Sequence, residues 1–394
     1  MKYFSKQNVY ETAKDRIRFL YDEFEEIVVG FSGGKDSTVT LNLAIEVAKE
    51  KNRLPVKLLF VDQEAEWQTV IDYVRTQMYR EEVEPMWFQI PIRLFNATSN
   101  KEPWLMCWEE GKEWIREKEP ISYKINKYGE DRFKEMFGKI LNKEFSDKKT
   151  CYLAGVRAEE SPTRHTSLTT GPVYKHITYG KTLNKGKEHY TFYPLYDWSY
   201  TDIWKSIHDN KWDYCKIYDY QYMYGINVKD MRVSNLHHET AVHSLFYLQE
   251  IESETYQKLV KRIGGIDTAG KIGKSDFFVH KLPFMFRDWI EYRNYLLEHL
   301  IEDRTIQGVE ISKEKFRKKF KQLDEKYKEF PDKEVFYKTQ INTILLNDFS
   351  FTKLDNLERN PDIHGWRQYM KGVDHKNNKT NKYIKMYEKN KGIN

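Results

Sequence analysis

Apolar residues recur at helical spacing over residues 8–23, with Val9, Ala13, Ile17 and Leu20 on one face, and this predicts an amphipathic helix. The period then changes. EEIVVGF is a short apolar run that ends in Ser-Gly-Gly and reads as a strand buried on both faces. Residues 37–50 return to helical spacing, and 56–62 (VKLLFVD) form a second apolar run. Strand, helix and strand in that order predict a βαβ unit with parallel strands and a right-handed crossover. Further strand candidates are 86–92, 150–156 and 190–195, and a helix is expected over 200–210 with Ser199 or Thr201 as its cap. Past residue 211 the pattern turns to long helices, at 239–262, 286–302, 312–329 and 332–347, and no internal repeat is evident. The expected organisation is an α/β domain over 1–210, a helical region over 211–370 and a basic, flexible tail over 371–394.

Composition sharpens this picture. The chain has 394 residues, too many for one ordinary core. Charged residues make up 32%, but aromatics reach 15%, enough to build cores rather than a disordered chain. The net charge of +5 lies in the tail, where seven lysines face Asp374 and Glu388, so the rest of the chain sums to zero. That balance argues against a protein that coats nucleic acid along its whole surface; the tail alone is a candidate contact for nucleic acid or an acidic partner. The three cysteines, Cys107, Cys151 and Cys215, form no C-x-x-C pair. A four-cysteine iron–sulfur cluster, a structural zinc and a secreted disulfide scaffold are therefore not expected. The absence of an apolar leader or membrane-length run predicts a cytoplasmic protein with no membrane contact.

The chemistry concentrates at Ser32-Gly33-Gly34-Lys35-Asp36-Ser37, between the first strand and its helix. Glycines 33 and 34 let main-chain amides approach a phosphate, Ser32 and Ser37 add hydroxyl donors, and the helix directs its positive end at the same point. Lys35 adds a cation. Asp36, a poor phosphate neighbour by itself, is the candidate ligand for a Mg²⁺ that bridges phosphates. The glycine spacing differs from that of a Walker A loop.

The loop resembles the PP-loop of the N-type ATP pyrophosphatase and phosphoadenosine-phosphosulfate (PAPS) reductase superfamily. Three further segments carry the likeness: Asp62 at the end of the second strand, the run from Gly155 through Arg157 and Glu160 to Arg164, and the run from Tyr193 to Trp204. The resemblance covers roughly residues 25–210. It implies a Rossmann-like, adenine nucleotide alpha hydrolase-like fold, adenine near Phe31 and Val61, phosphates at 32–37, and ATP or PAPS with Mg²⁺ as cofactors. Arg157 and Arg164 would supply forked donors to a phosphate or sulfate. Trp104 to Trp108, Met231-Arg232 with Asn235, and the helical C-terminal half further resemble a branch of bacterial and phage PAPS-reductase-like proteins that includes immunoglobulin-binding regulator A. That branch implies a small ParB-like protein as partner.

The chain departs from the reductases where their chemistry lies. The C-terminal Glu-Cys-Gly-Leu-His motif is missing and no cysteine follows Cys215, so thiol chemistry would fall to one of the three cysteines, with Cys107 between Trp104 and Trp108 the leading candidate. What remains is a nucleotide half-site. The expected reaction is cleavage of ATP between its α and β phosphates with transfer of AMP to an acceptor, sulfate among the candidates, using Lys35, Asp36, Arg157 and Arg164. The rivals are a sulfonucleotide reductase or sulfotransferase-like enzyme, and a nucleotide-sensing regulator or nucleic-acid-binding protein without turnover. Three weaker signals are read as structural. A Walker-like run over 268–275 lacks its first glycine, His238 and His243 are one residue too far apart for a shared helix face, and the aromatics of 212–224 serve packing before base stacking.

Overall fold

A computed structural model of the chain describes residues 6–99, 102–169, 174–175, 177–184, 186–233, 235–237, 244–267, 281–306 and 309–370. Helix α1 (Val9–Glu23) begins where the Asn8 side chain accepts the Glu11 amide, and it buries Ala13, Ile17, Leu20 and Tyr21. Strand β1 (Glu26–Gly30), helix α2 (Lys35–Glu50) and strand β2 (Val56–Val61) follow as the hydrophobic pattern predicts. Helix α2 is buried along most of its length, which explains its apolar content. Helix α3 (Gln68–Met78) and strand β3 (Val83–Phe88) complete the first half of the sheet. Strands β4 (Ile92–Phe95) and β5 (Trp104–Cys107) form a separate ribbon. The second half comprises α4 (Phe133–Glu144), β6 (Thr150–Leu153), α5 (Pro162–Thr169), β7 (Gly180–Asn184), β8 (His189–Phe192) and α6 (Tyr200–Asp209). Ser199 caps α6 in a reciprocal capping box with Asp202.

The sheet order is β3-β2-β1-β6-β8-β7. The neighbours from β3 to β8 pair in parallel, and β7 closes the edge antiparallel to β8. The molecule therefore has the expected α/β, Rossmann-like sheet, with one edge strand whose polar sequence (GKTLN) carries no apolar run. The chain runs outward to β2 and β3 on one side of β1 and to β6 and β8 on the other. A parallel sheet that reverses its order in this way leaves a crevice beyond the carboxyl ends of the two strands at the reversal. Here these are β1 and β6.

Several expected boundaries shift, and the strand expected over 190–195 ends at Phe192. Strand β3 ends at Phe88, because Gln89 turns its side-chain amide to Asp62 at 3.0 Å. Strand β6 ends at Leu153, and the Val156 amide turns back to the Ala154 carbonyl at 3.0 Å. The helix expected over 239–262 is described as α8 (Leu245–Ile251) and α9 (Ser253–Arg262), with Glu252 between them in a non-helical conformation. Glu252 leaves the helix to cap another. Its carboxylate accepts the amides of Gln68 and Thr69 at 2.7 and 2.8 Å, at the start of α3, where Trp67 offers no side-chain cap.

The chain divides into two compact units: Met1–Leu94 with Leu105–Leu236 and Tyr247–Ile263, and Phe95–Trp104 with His237–Phe246 and Gly264–Asn394. The first continues past residue 210, since Tyr73 donates to the Asp213 carbonyl at 3.0 Å and α7 (Ile217–Met223) packs within it. The second holds helices Trp289–Leu300, Lys313–Lys326 and Glu334–Leu345 around an aromatic core in which Tyr327 and Phe336 stack at 4.4 Å. Residues 268–275, His238, His243 and the tail 371–394 lie outside the described residues.

Replacing Glu252 with alanine removes the cap of α3 without touching its apolar face. The expected cost is roughly 1–2 kcal/mol, read as a lower urea midpoint at unchanged slope; an unchanged midpoint would show that the cap contributes nothing.

Candidate functional site

The reversal between β1 and β6 is where the predicted loop lies. Gly33 has φ +70°, a left-handed conformation that favours glycine, and a Cβ there would meet Val70 Cγ1 of α3 at 2.8 Å. Gly34 is the N-cap of α2 and provides no side-chain cap. From the other strand, Gly155 brings its backbone against the same turn. A Cβ on Gly155 would stand 2.7 Å from the Asp36 carbonyl and 2.9 Å from the Ser37 amide. Gly155 is thus a close-approach residue that docks the exit of β6 onto the first turn of α2.

The amides of the loop face hydroxyl oxygens rather than apolar groups. The Gly34 amide lies 3.4 Å from Ser32 Oγ and the Lys35 amide donates to Tyr218 Oη at 3.1 Å. These oxygens occupy the direction from which an anion's oxygens would accept. Ser37 is committed within the loop, donating to the Gly34 carbonyl at 2.9 Å.

Arg157 follows Gly155 into the crevice and is 4% exposed. Its Nε donates to Asp36 Oδ1, and Lys35 Nζ pairs with Asp36 Oδ2 at 3.1 Å. Glu159 lies 3.4 Å from Arg157 Nη1, and Glu160 pairs with Arg164. Partial desolvation and the positive charges of Arg232 and Arg157 hold Arg164 below its ordinary value, against the opposing pull of Asp36. The structure therefore brings together Ser32, Gly33, Gly34, Lys35, Asp36, Ser37, Gly155, Arg157, Glu160 and Arg164. It also sets Tyr218 and Arg232 beside them, from beyond residue 210. Nothing in the aromatic run 212–224 distinguishes Tyr218 by sequence.

Asp36 is a poor seat for Mg²⁺ in this arrangement. Each of its oxygens already faces a cation, Arg157 on one side and Lys35 on the other, whereas magnesium at such sites binds one or two carboxylates together with substrate phosphates. Among the described residues no cluster of three or more His, Cys, Asp or Glu side chains has metal-holding geometry.

Phe31, Val61 and Asp62 have other surroundings. Phe31 and Val61 are buried, and Phe31 packs on the Tyr73 ring at 6.1 Å. Asp62 is fully buried and accepts from the Glu64 amide at 2.9 Å, from Trp87 and Gln89 at 3.0 Å, and from Arg116. It organises the end of β2 and has no oxygen left over. Next to it, Glu64 has φ +61° and is held by Arg262 Nε at 2.7 Å and the Trp108 amide at 2.7 Å. Removing one partner from such buried pairs leaves an uncompensated charge, and this offsets the strain of the left-handed Glu64. Glu66 completes the group at 5% exposure; burial, and then the Asp62 charge, push its pKa up to about 8.

The cysteines are poor nucleophiles. All three are free and buried. Cys107 donates its thiol to the Gln63 carbonyl at 3.0 Å, and burial with the Glu64 and Asp62 carboxylates raises its pKa well above the ordinary value. Burial does the same at Cys151 and pushes Cys215 up to about 12. Thiol chemistry requires a thiolate, and none of the three sites favours one.

A Rossmann-like sheet with an amide-lined, cation-flanked turn at its order reversal defines a nucleotide-binding protein of the PP-loop type. The phosphoadenosine phosphosulfate reductase domain matches residues 26–271, and the chain belongs to that family, hence to the PP-loop superfamily of nucleotide-binding enzymes. A domain of unknown function (DUF3440) matches residues 225–335. The uncharacterized protein YbdN of Escherichia coli (strain K12) is 28% identical over 312 residues, covering 75% of this chain and 76% of that protein. Among solved structures, FMN adenylyltransferase of Candida glabrata aligns at 17% identity and a TM-score of 0.35, over 54% of this chain and 58% of that one. PAPS reductase of Candida auris aligns at 14% identity and a TM-score of 0.31, over 60% of this chain and 98% of that one. This chain thus spans less than two thirds of the adenylyltransferase, and neither structural likeness bears on chemistry. No helix among the described residues is long and apolar enough to cross a membrane.

Two outcomes follow from the burial of these groups. In native buffer a disulfide reagent such as DTNB should label none of the three thiols within minutes, and all three in urea; rapid native labelling of Cys107 would contradict its placement. Glu66 binds a proton more tightly folded than unfolded, so its contribution to stability is complete below about pH 4.5 and is lost as pH rises through about 8. Glu66→Gln should therefore flatten the fall in urea midpoint between pH 5 and 8, and an unaltered pH profile would show that Glu66 ionises freely.

Proposed function

We propose that the chain is a PP-loop enzyme that binds ATP at residues 32–37 and cleaves it between the α and β phosphates, passing AMP to an acceptor and releasing pyrophosphate. The observation that carries this reading is the convergence of Lys35, Arg157 and Arg164 on the turn after β1. The reaction needs in-line attack by an acceptor oxygen on the α-phosphorus, with the electron pair of the broken bond leaving on pyrophosphate. It needs no nucleophile from the protein. Backbone amides at the start of α2 and the three cations stabilise charge that builds on the phosphates. Asp36 positions two of those cations, Arg157 and Lys35, and magnesium enters as the counter-ion carried by the nucleotide itself.

Sulfate remains a candidate acceptor, since it presents an oxygen nucleophile and needs no activation by a thiol. The burial of Cys107, Cys151 and Cys215 weighs against the sulfonucleotide reductase reading, whose reaction begins with thiolate attack.

Incubation with α-labelled ATP and a panel of acceptors including sulfate should yield labelled AMP or an adenylylated product together with pyrophosphate. Lys35→Ala should lower the rate by about 10²–10³, in the range for loss of one preorganised charge partner. Tight PAPS binding that ATP does not displace would overturn the proposal.

A further inference from the structure

The segment 231–236 lies across the phosphate turn and is fastened at both ends. Gln221 of α7 is 1% exposed and grips the backbone of Arg232 at two points, accepting its amide at 3.1 Å and donating to its carbonyl at 2.9 Å. Met231, beside it, is buried. Three residues on, Asn235 donates to the Gln63 side chain at 2.7 Å, and the Leu236 amide donates to the Ala65 carbonyl at 2.8 Å. Between these anchors Val233 sits over the loop, 2.9 Å from where a Cβ on Gly34 would be. The strap thus joins the phosphate turn to the end of β2 without covering either with charge.

Its one charged side chain is left unneutralised. Arg232 is exposed, and among the described residues its guanidinium makes no hydrogen bond or ion pair, although its backbone is immobilised. Val233, the next residue, lies against Gly34, so the backbone of Arg232 is held beside the phosphate turn, on the side where its charge acts on Arg164. The buried glutamine thus fixes, next to the phosphate turn, the backbone of an arginine that has no carboxylate partner among the described residues. A guanidinium without a carboxylate of its own, carried at the edge of such a turn, is free to fork onto a phosphate or sulfate oxygen.

We propose that Arg232 completes the phosphate site as a second jaw opposite Arg164, taking a phosphoryl or sulfuryl oxyanion beyond the one held by the loop. This rests on the nucleotide reading above and extends it. The 32–37 turn and Arg157 hold the phosphate nearest the reacting bond, and Arg164 with Arg232 hold the anion next to it: the pyrophosphate end of a nucleotide, or an oxyanion acceptor. Specificity for a polyphosphate over a monophosphate would then come from a residue outside the α/β domain drawn from the sequence.

The test is calorimetric titration of the full chain with ATP, AMP, pyrophosphate and sulfate, for the wild type, Arg232→Ala, Arg232→Lys, Lys35→Ala and the surface control Lys205→Ala. Arg232→Ala should weaken ATP and pyrophosphate at least tenfold, the loss expected for a charge-assisted contact, and leave AMP within twofold. Arg232→Lys should recover part of the loss, since charge returns without the fork. A tenfold loss for sulfate with unchanged pyrophosphate would assign the jaw to the acceptor instead. Arg232→Ala binding every ligand within twofold of wild type, while Lys35→Ala loses ATP, would overturn the jaw and leave the ATP reading standing. Pyrophosphate binding that depends on Arg232 in a protein that ignores ATP would do the reverse. If the wild type binds none of the four at millimolar concentration, both fall. Because the Gln221 grip is on backbone, matched thermal melts of wild type and variants confirm that the strap is retained.

Discussion

Arg157 and Asp36 meet beneath the first turn of α2, and the geometry of the crevice depends on that pairing. Asp36 belongs to the helix after β1 and Arg157 to the turn after β6, so their contact ties together the two strands at which the sheet reverses. It forms only because residue 155 has no side chain; any Cβ there would collide with the Asp36 carbonyl. A buried arginine demands a carboxylate, and a carboxylate at a helix N-terminus is favourably placed with respect to the helix dipole. Each partner satisfies the cost of burying the other, and the pair fixes the start of α2, whose Gly34 and Lys35 amides face the hydroxyls of Ser32 and Tyr218.

The sheet was largely readable in advance because the strands at its centre are apolar runs between turn residues. β1 and β2 have this form most clearly, and the glycine-rich turn marks where β1 stops; β8 (HYTF) instead buries His189 and Thr191 among its aromatics. The loop itself was equally readable, since glycine spacing and a following helix encode anion binding locally. What sequence could not supply were roles set by tertiary partners. Asp62 has the same local signature as a ligand-facing carboxylate, yet four donors from Glu64, Trp87, Gln89 and Arg116 turn it inward. Glu252 reads as one more helical residue, until the uncapped start of α3 is seen beside it. Tyr218 is one tyrosine in an aromatic run, and only packing directs its hydroxyl to the Lys35 amide.

The same logic explains why the first unit does not stop at residue 210. Glu64 needs a cation, and Arg262 of α9 provides it across 198 residues of chain. Without that contact, the turn after β2 would bury a bare carboxylate in a left-handed conformation. The region beyond the nucleotide-binding sheet is thus built into the sheet's own carboxyl edge, through Arg262 at β2 and through the 231–236 strap at β1.

Charge is distributed unevenly along that edge, and the asymmetry decides where an anion goes. Beyond β2, the carboxyls of Asp62, Glu64 and Glu66 face two arginines, Arg116 and Arg262; burial keeps Glu66 protonated at neutral pH, which leaves the group electrically balanced. Beyond β1 and β6, Lys35, Arg157, Arg164 and Arg232 face Asp36, Glu159 and Glu160, which leaves one cation in excess. The described body of the protein therefore needs no net charge to attract a phosphate.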